Sequence, residues 1–231
     1  MSNNAQKELN KPDGLQERMF SFLNFIRKNK KYIYIGIAAA VGIMIIGTGW
    51  HFYRMDYEKK AQNAYDETFS AYHFTTDTAN VEKSIANIID RYKDIISKYP
   101  HSRAASLSLY SLGNLYYQIK EYDKSIDAYS NYIKSTSKMK ELKSLAYNGL
   151  GYCYEAKGED DMALESYEKA VKGAMEGAFS GMIYQNIARL YEKMKNNDKA
   201  LEYYKKTAAQ NTDPLTKVLV RRKIAELAPS K

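Results

Sequence analysis

The chain has 231 residues, 45% of them hydrophobic and 27% charged, a composition that suits a globular class and not a disordered one and leaves room for one domain plus attachments. With 4 prolines and 12 glycines, long helices form easily and a strand-rich fold is disfavoured, so the expected class is all-α. The formal net charge is +8, and the single cysteine, Cys153, excludes a disulfide-stapled domain.

Half of that charge sits at the start. Residues 1–31 hold Lys7, Lys11, Arg18, Arg27, Lys28, Lys30 and Lys31 against Glu8, Asp13 and Glu17, a balance of +4. The rest is diffuse and accompanies no RNA or DNA motif, so no nucleic-acid partner is expected. Residues 1–12 read as a disordered tail. Asp13, with Gln16 three residues on, can cap a helix whose Leu15, Met19, Phe22, Leu23 and Ile26 fall at helical spacing. This segment is either an interfacial helix on the cytoplasmic leaflet or the start of a longer helix that continues through the adjoining apolar run.

That apolar run is residues 32–52, YIYIGIAAAVGIMIIGTGWHF, with no acidic or basic residue apart from the titratable His51. At 1.5 Å rise per residue the run reaches roughly 30 Å, the thickness of a bilayer core. Tyr32, Tyr34, Trp50 and Tyr53 stand at its ends as an aromatic belt would. The run is too long for a signal-peptide core and bulky Trp50 spoils a cleavage site, so an uncleaved anchor is expected. Gly36/Ala40 and Ala38/Gly42 make small-xxx-small pairs of the kind that allow helices to associate. Arg18, Arg27, Lys28, Lys30 and Lys31 precede the span, and Arg54, Lys59 and Lys60 come after it, which orients the N-terminus to the cytoplasm and exports the remainder.

Residues 53–105 read as a linker helix, Met55–Phe74, and a second helix, Val81–Tyr99, with a core stripe of Ile85, Ile88, Ile89, Tyr92, Ile95 and Ile96. Together they resemble a divergent helical hairpin that ends at Pro100. Residues 106–214 repeat. Leu112-Gly113 is followed by Tyr116, Ser125, Tyr129 and Tyr132; Leu150-Gly151 by Tyr154, Ala163, Tyr167 and Ala170; Ile187-Ala188 by Tyr191, Ala200, Tyr204 and Thr207, all at the same offsets. The three starts lie 38 and 37 residues apart. Each unit is expected to be two antiparallel helices turning at Lys120–Tyr122, Lys157–Asp160 or Lys195–Asp198. The small residue allows close helix approach, the Tyr four positions after the start fills the remaining gap, and the second-helix Tyr residues pack against the next unit. The extra length falls in the connections Ser135–Lys143 and Gly173–Ser180. Residues 215–231, opened by Pro214, read as a single capping helix whose outer face solvates the array.

This three-fold pattern resembles the tetratricopeptide repeat, best in the unit reading Tyr147-x-x-Leu-Gly-x-x-Tyr-x-x-x-Gly158 with Ala163, Tyr167 and Ala170. The periods depart from that family's repeat of about 34 residues. In its order of basic tail, span, linker helix, repeats and cap, the chain resembles the YfgM-type inner-membrane proteins that accompany the bacterial Sec translocon. That resemblance implies a periplasmic repeat domain and partners among the Sec translocon and periplasmic chaperones.

Chemistry is sparse. His51, His73 and His101 are far apart, with no ligand-spaced Cys or carboxylate, and no phosphate loop or nucleophile elbow occurs, so no enzyme, metal or cofactor is expected. Gly149-Leu150-Gly151 reads as repeat packing, Cys153 as a buried small residue, and Glu159-Asp160-Asp161 as a solvated turn. A solenoid of this kind presents a groove lined by the first helices of its units. By spacing the groove holds Tyr110, Asn114 and Tyr117, then Asn148, Tyr152 and Glu155, then Gln185, Arg189 and Glu192, residues suited to peptide backbones and mixed side chains. Some cytosolic relatives clamp a C-terminal carboxylate there, but Tyr110 and Met182 occupy the places of the expected cations, and no clamp is expected. The sequence therefore points to a membrane-anchored scaffold of the cell envelope that binds other proteins or peptides. An N-terminally anchored import receptor with cytosolic repeats is the alternative, and an enzyme is disfavoured.

Overall fold

The computed structural model of the protein describes residues 14–73, 81–135, 140–174, 179–210 and 213–228. The tail at 1–12, the Asp13 cap and the middles of the two long connections lie outside these. The described residues form helices and turns only: α1 (Gly14–His73), α2 (Val81–Lys98), α3 (Arg103–Gln118), α4 (Tyr122–Ser135), α5 (Lys140–Lys157), α6 (Asp160–Ala174), α7 (Ser180–Lys193), α8 (Asn197–Ala208) and α9 (Pro214–Leu227). The chain divides into two compact units, residues 1–56 and 57–231.

In the first unit α1 is interrupted once. Asn29 leaves helical geometry (φ −110°, ψ 16°), and its side-chain amide donates to the Phe25 carbonyl at 3.0 Å. The break falls between the amphipathic stretch and the apolar run. Between Glu17 and His73 the helix is long and apolar enough to cross a membrane, and none of its most apolar stretch is buried against protein. Ile46, for example, is 74% exposed. The Thr48 hydroxyl donates back to the Met44 carbonyl at 2.9 Å, so the one hydroxyl in the middle of this surface satisfies itself on its own helix.

The second unit is a stack of helical hairpins. Residues 57–73 of α1, together with α2, form the first, its core drawn from Ala61, Ile85, Ile88, Ile89, Tyr92 and Ile95 and continued by Leu112 and Leu115 of α3. Tyr65 and Tyr72 of α1 reach α3, contacting Ser111 at 3.2 Å and Gln118 at 2.8 Å through their hydroxyls. The pairs α3/α4, α5/α6 and α7/α8 come next, and α9 packs on α8.

Each of these three hairpins turns in the same way. Lys120, Gly158 and Lys195 adopt φ of 63°, 78° and 60°, the left-handed conformation that ends a helix. The next residue in each case donates its N–H back five positions: Glu121 to Tyr116 at 2.8 Å, Glu159 to Tyr154 at 2.9 Å and Asn196 to Tyr191 at 2.8 Å. These are Schellman closures, and they satisfy carbonyls that the helix end would leave unpaired.

The hairpins close on tyrosine. A Cβ added to Gly113 would lie 2.5 Å from the Tyr129 ring, and one added to Gly149 of the next unit would lie 2.5 Å from the same ring. Tyr129 is therefore wedged between its own unit and its neighbour, and both positions must lack a side chain. Gly151 meets Tyr167 in the same manner. The expectation that the first-helix Tyr fills the gap holds in the third unit, where Tyr191 is buried, and needs correction in the first two, where Tyr116 and Tyr154 are only half-buried and the deeply buried rings are the second-helix Tyr129 and Tyr167. Cys153 is fully buried and donates from Sγ to the Ser125 hydroxyl at 3.1 Å.

Candidate functional site: the face of the first helices

The unit starts Leu112, Leu150 and Ile187 define a register. The residue two places after a start meets the residue five places after the previous start. At the first junction this pairs Tyr152 with Tyr117, ring centroids 6.1 Å apart. At the second, the Arg189 guanidinium forks onto the Glu155 carboxylate, one arm at 2.8 Å. At the third, Lys223 of α9 donates to Glu192 at 2.7 Å. The same position thus runs from an aromatic pair to two ion pairs along the face.

Each carboxylate also accepts the hydroxyl of its own unit's buried tyrosine, Tyr167 to Glu155 at 3.1 Å and Tyr204 to Glu192 at 2.8 Å. In the first unit Tyr117 stands where the carboxylate would be, and Tyr129 donates instead to the Asn114 amide oxygen at 2.6 Å. These bonds set the local electrostatics. The Lys223 bond, with the Tyr204 hydroxyl, holds the Glu192 carboxyl below the ordinary range, and Glu155 raises the Arg189 guanidinium. Burial pushes the Tyr129, Tyr167 and Tyr204 phenols upward, with Glu155 and Glu192 adding to it in the last two.

Of the residues expected on this face, Asn114, Tyr117 and Arg189 are exposed, and Tyr110, Tyr152, Glu155, Gln185 and Glu192 are half-exposed. Tyr110 leans inward onto Tyr129 and Tyr132 at 5.8 and 5.6 Å. Asn148 differs: it is 4% exposed and accepts from the Asn186 amide at 2.8 Å, so it builds the wall and does not present itself. Asn186 also donates to the Tyr152 hydroxyl at 2.8 Å. Spacing within the units did not single out Asn186, which reaches Asn148 and Tyr152 across the junction between two units. A pocket of about 500 Å³ between α7 and α9, bordered by Gln185, Arg189, Glu192, Tyr204, Leu219 and Lys223, ends the face.

Chemically this surface offers amide and phenol hydrogen bonds, ring faces and compensated charges. Among the described residues no group of three His, Cys, Asp or Glu could hold a metal ion. His73 packs on Phe69 at 4.3 Å, while the His101 backbone N–H donates to the Tyr57 hydroxyl at 3.4 Å.

The model of a tetratricopeptide repeat-like domain family matches residues 24–229, and the chain belongs to that family. Solved structures agree on the fold. A kinesin-light-chain-type protein of Podospora anserina with nearly identical TPR-like repeats is 11% identical, with a TM-score of 0.56 over 74% of this chain and 86% of that one. BtubC of P. vanneervenii is 16% identical, with a TM-score of 0.55 over 75% and 82%. PilF of Pseudomonas aeruginosa is 16% identical, with a TM-score of 0.50 over 64% and 68%. No curated protein matches the chain. The repeat fold is that of a protein-interaction scaffold.

Proposed function

We propose that the protein is a membrane-anchored scaffold of the cell envelope that binds other proteins through the first-helix face, as an accessory to protein translocation or to periplasmic chaperones. Residues 1–31 form the cytoplasmic tail, 32–52 the anchor, 53–105 the linker and divergent hairpin, 106–214 the repeats and 215–231 the closing helix. The observation that carries the reading is the apolar stretch of α1, wholly unburied although it continues into a well-packed repeat stack. Unburied apolar surface of that extent is unfavourable in water and favourable in hydrocarbon. The family match begins at residue 24 and so includes the run, which supports a retained segment and not a removable leader. The basic cluster Arg27–Lys31 favours a cytoplasmic N-terminus. Exposed Asn114, Tyr117 and Arg189, with Tyr110, Tyr152 and Gln185 beside them, form the binding surface.

Alkaline carbonate washing of membranes tests the anchor: full-length protein stays in the pellet, and release of a shortened soluble form overturns the reading. Protease added to intact spheroplasts then digests the repeats and spares the tail and span. Protection of the repeats until lysis places them in the cytosol and favours the import-receptor alternative.

A further inference from the structure

The contact between Lys223 and Glu192 fixes what α9 is. Arg189 holds Glu155 one unit earlier, and Lys223 stands 34 positions after Arg189 doing the same to Glu192. α9 therefore occupies the place of the first helix of a fourth hairpin. Carrying the register along it, Leu215, Val218, Arg221, Arg222 and Ala225 correspond to Gly181, Tyr184, Ile187, Ala188 and Tyr191 of α7.

In α7 that face is covered by its own second helix. Tyr184 and Tyr191 lie against Tyr203 of α8 at 6.1 and 5.6 Å, and Ile187 and Ala188 are fully buried. In α9 the same face is open among the described residues. Leu215 is 69% and Val218 64% exposed, with Arg221, Arg222 and Ala225 exposed beside them, whereas Val220 on the opposite side is 1% exposed. The outer face of the last helix is thus not the uniformly polar surface of a solvating cap.

We infer that α9 is a docking site for an amphipathic helix of a partner protein, which seats antiparallel to α9 as α8 does on α7. The open face is divided: its N-terminal half is apolar, through Leu215 and Val218, and its C-terminal half is basic, through Arg221 and Arg222. Arg222 shares a loose 3.5 Å contact with Glu226 of the same helix, and α9 carries four cations, Lys217, Arg221, Arg222 and Lys223, against that one carboxylate. A helix running antiparallel, as α8 runs to α7, lays its first turns beside Arg221 and Arg222 and its last turns on Leu215 and Val218. The matching partner has carboxylates in its first turns, where the helix dipole also favours them, and apolar residues at i, i+3 and i+4 in its last turns. A second copy of α9 is a poor match, since Glu226 lies at the wrong end and Asp213, at the right one, is engaged as the cap of its own helix, accepting from the Thr216 N–H at 3.0 Å.

This inference rests on the protein-binding reading, but not on the anchor or on the first-helix face. The test uses full-length protein in lipid nanodiscs and a fluorescent synthetic helix with glutamates in its first turns and leucines in its last. Binding by anisotropy is expected to be lost with Leu215→Asp/Val218→Asp and weakened about tenfold or more by Arg221→Glu/Arg222→Glu, since truncated or reversed charge pairs at interfaces have effects of that order. A probe with lysines for glutamates is expected not to bind. A photoreactive group in the probe's first turn is expected to label the C-terminal half of α9. All four changes are on the surface, and unchanged helicity and melting certify the variants. Equal binding by wild type and variants, equal binding of the lysine probe, binding to empty nanodiscs, or self-association abolished by Leu215→Asp/Val218→Asp each overturns the inference. Should probe binding fail while crosslinks from the first-helix face persist, only this inference falls; loss of both removes the protein-binding reading as well.

Discussion

Arg189 forks onto Glu155, and the same carboxylate accepts the hydroxyl of buried Tyr167 at 3.1 Å. One acidic side chain thus joins two consecutive repeats on the surface and anchors a core ring from within. The two functions separate by mutation. Arg189 is about half exposed, so Arg189→Ala costs roughly 1 kcal/mol at most, as for a solvent-screened but bidentate pair. Glu155→Leu costs more, about 2 kcal/mol, because the Tyr167 hydroxyl loses its acceptor. Adding Tyr167→Phe to Glu155→Leu recovers part of that loss. Chemical denaturation of the wild type and these variants checks the order, and equal losses for Arg189→Ala and Glu155→Leu would contradict it.

The turn residues make a second prediction, of opposite sign at equivalent positions. Lys120 and Lys195 hold left-handed backbone at the place where the middle unit has Gly158. Lys195→Gly should stabilise the repeats by roughly 0.5–1 kcal/mol, while Gly158→Ala should destabilise them by about 1 kcal/mol, the difference a Cβ makes in that region. Denaturation midpoints moving in the same direction for both would show that these turns are not in register.

The glycines under the tyrosine rings predict overpacking. Gly149→Ala and Gly151→Ala each force a methyl into a ring already in contact, and each should cost on the order of 1–3 kcal/mol. Tyr167→Ala removes a fully buried ring and should cost about 3–5 kcal/mol. A loss well under 1 kcal/mol for Tyr167→Ala, read from the same unfolding curves, would refute the packing.

These positions show what the sequence could and could not disclose. Offsets from Leu112, Leu150 and Ile187 sufficed to pair helices, place the three turns and identify Tyr129, Tyr167 and Tyr204 as packing residues, because close packing demands small and large residues at fixed separations. Burial depth was not legible. Tyr at the fourth position is identical in all three units, yet Tyr116 and Tyr154 remain half-exposed while Tyr191 is buried. Asn148 falls on the same helix face as Tyr110 and Gln185 but is sealed by Asn186, a contact made across the repeat junction that no spacing within one unit reveals. The open side of α9 was hidden for a related reason: sequence shows an amphipathic helix but not which of its faces lacks a neighbour.

Acid should weaken the end of the stack. Glu192 has a folded-state carboxyl lowered below its ordinary 4.5 by Lys223 and Tyr204. A lowered carboxyl contributes stability that is complete above 4.5 and is lost as the pH falls through the lower folded value. Wild type should therefore exceed Glu192→Gln in stability at neutral pH, with the gap closing below about pH 4.5. The increment is small because both side chains are about a third exposed. Thermal melts of both proteins across this range check it, and a gap that widens in acid would be inconsistent with the ion pair.

Whether the protein is held in a membrane and binds other proteins through the first helices of its repeats is decided by photo-crosslinking in intact cells. A photoreactive amino acid is placed at Tyr117, on the first-helix face, and separately at Glu165, exposed on the second helix α6. After irradiation and carbonate washing, discrete protein adducts from Tyr117 are expected in the membrane pellet, and few from Glu165. Equal adducts from both positions, or adducts from Glu165 alone, would contradict binding through that face.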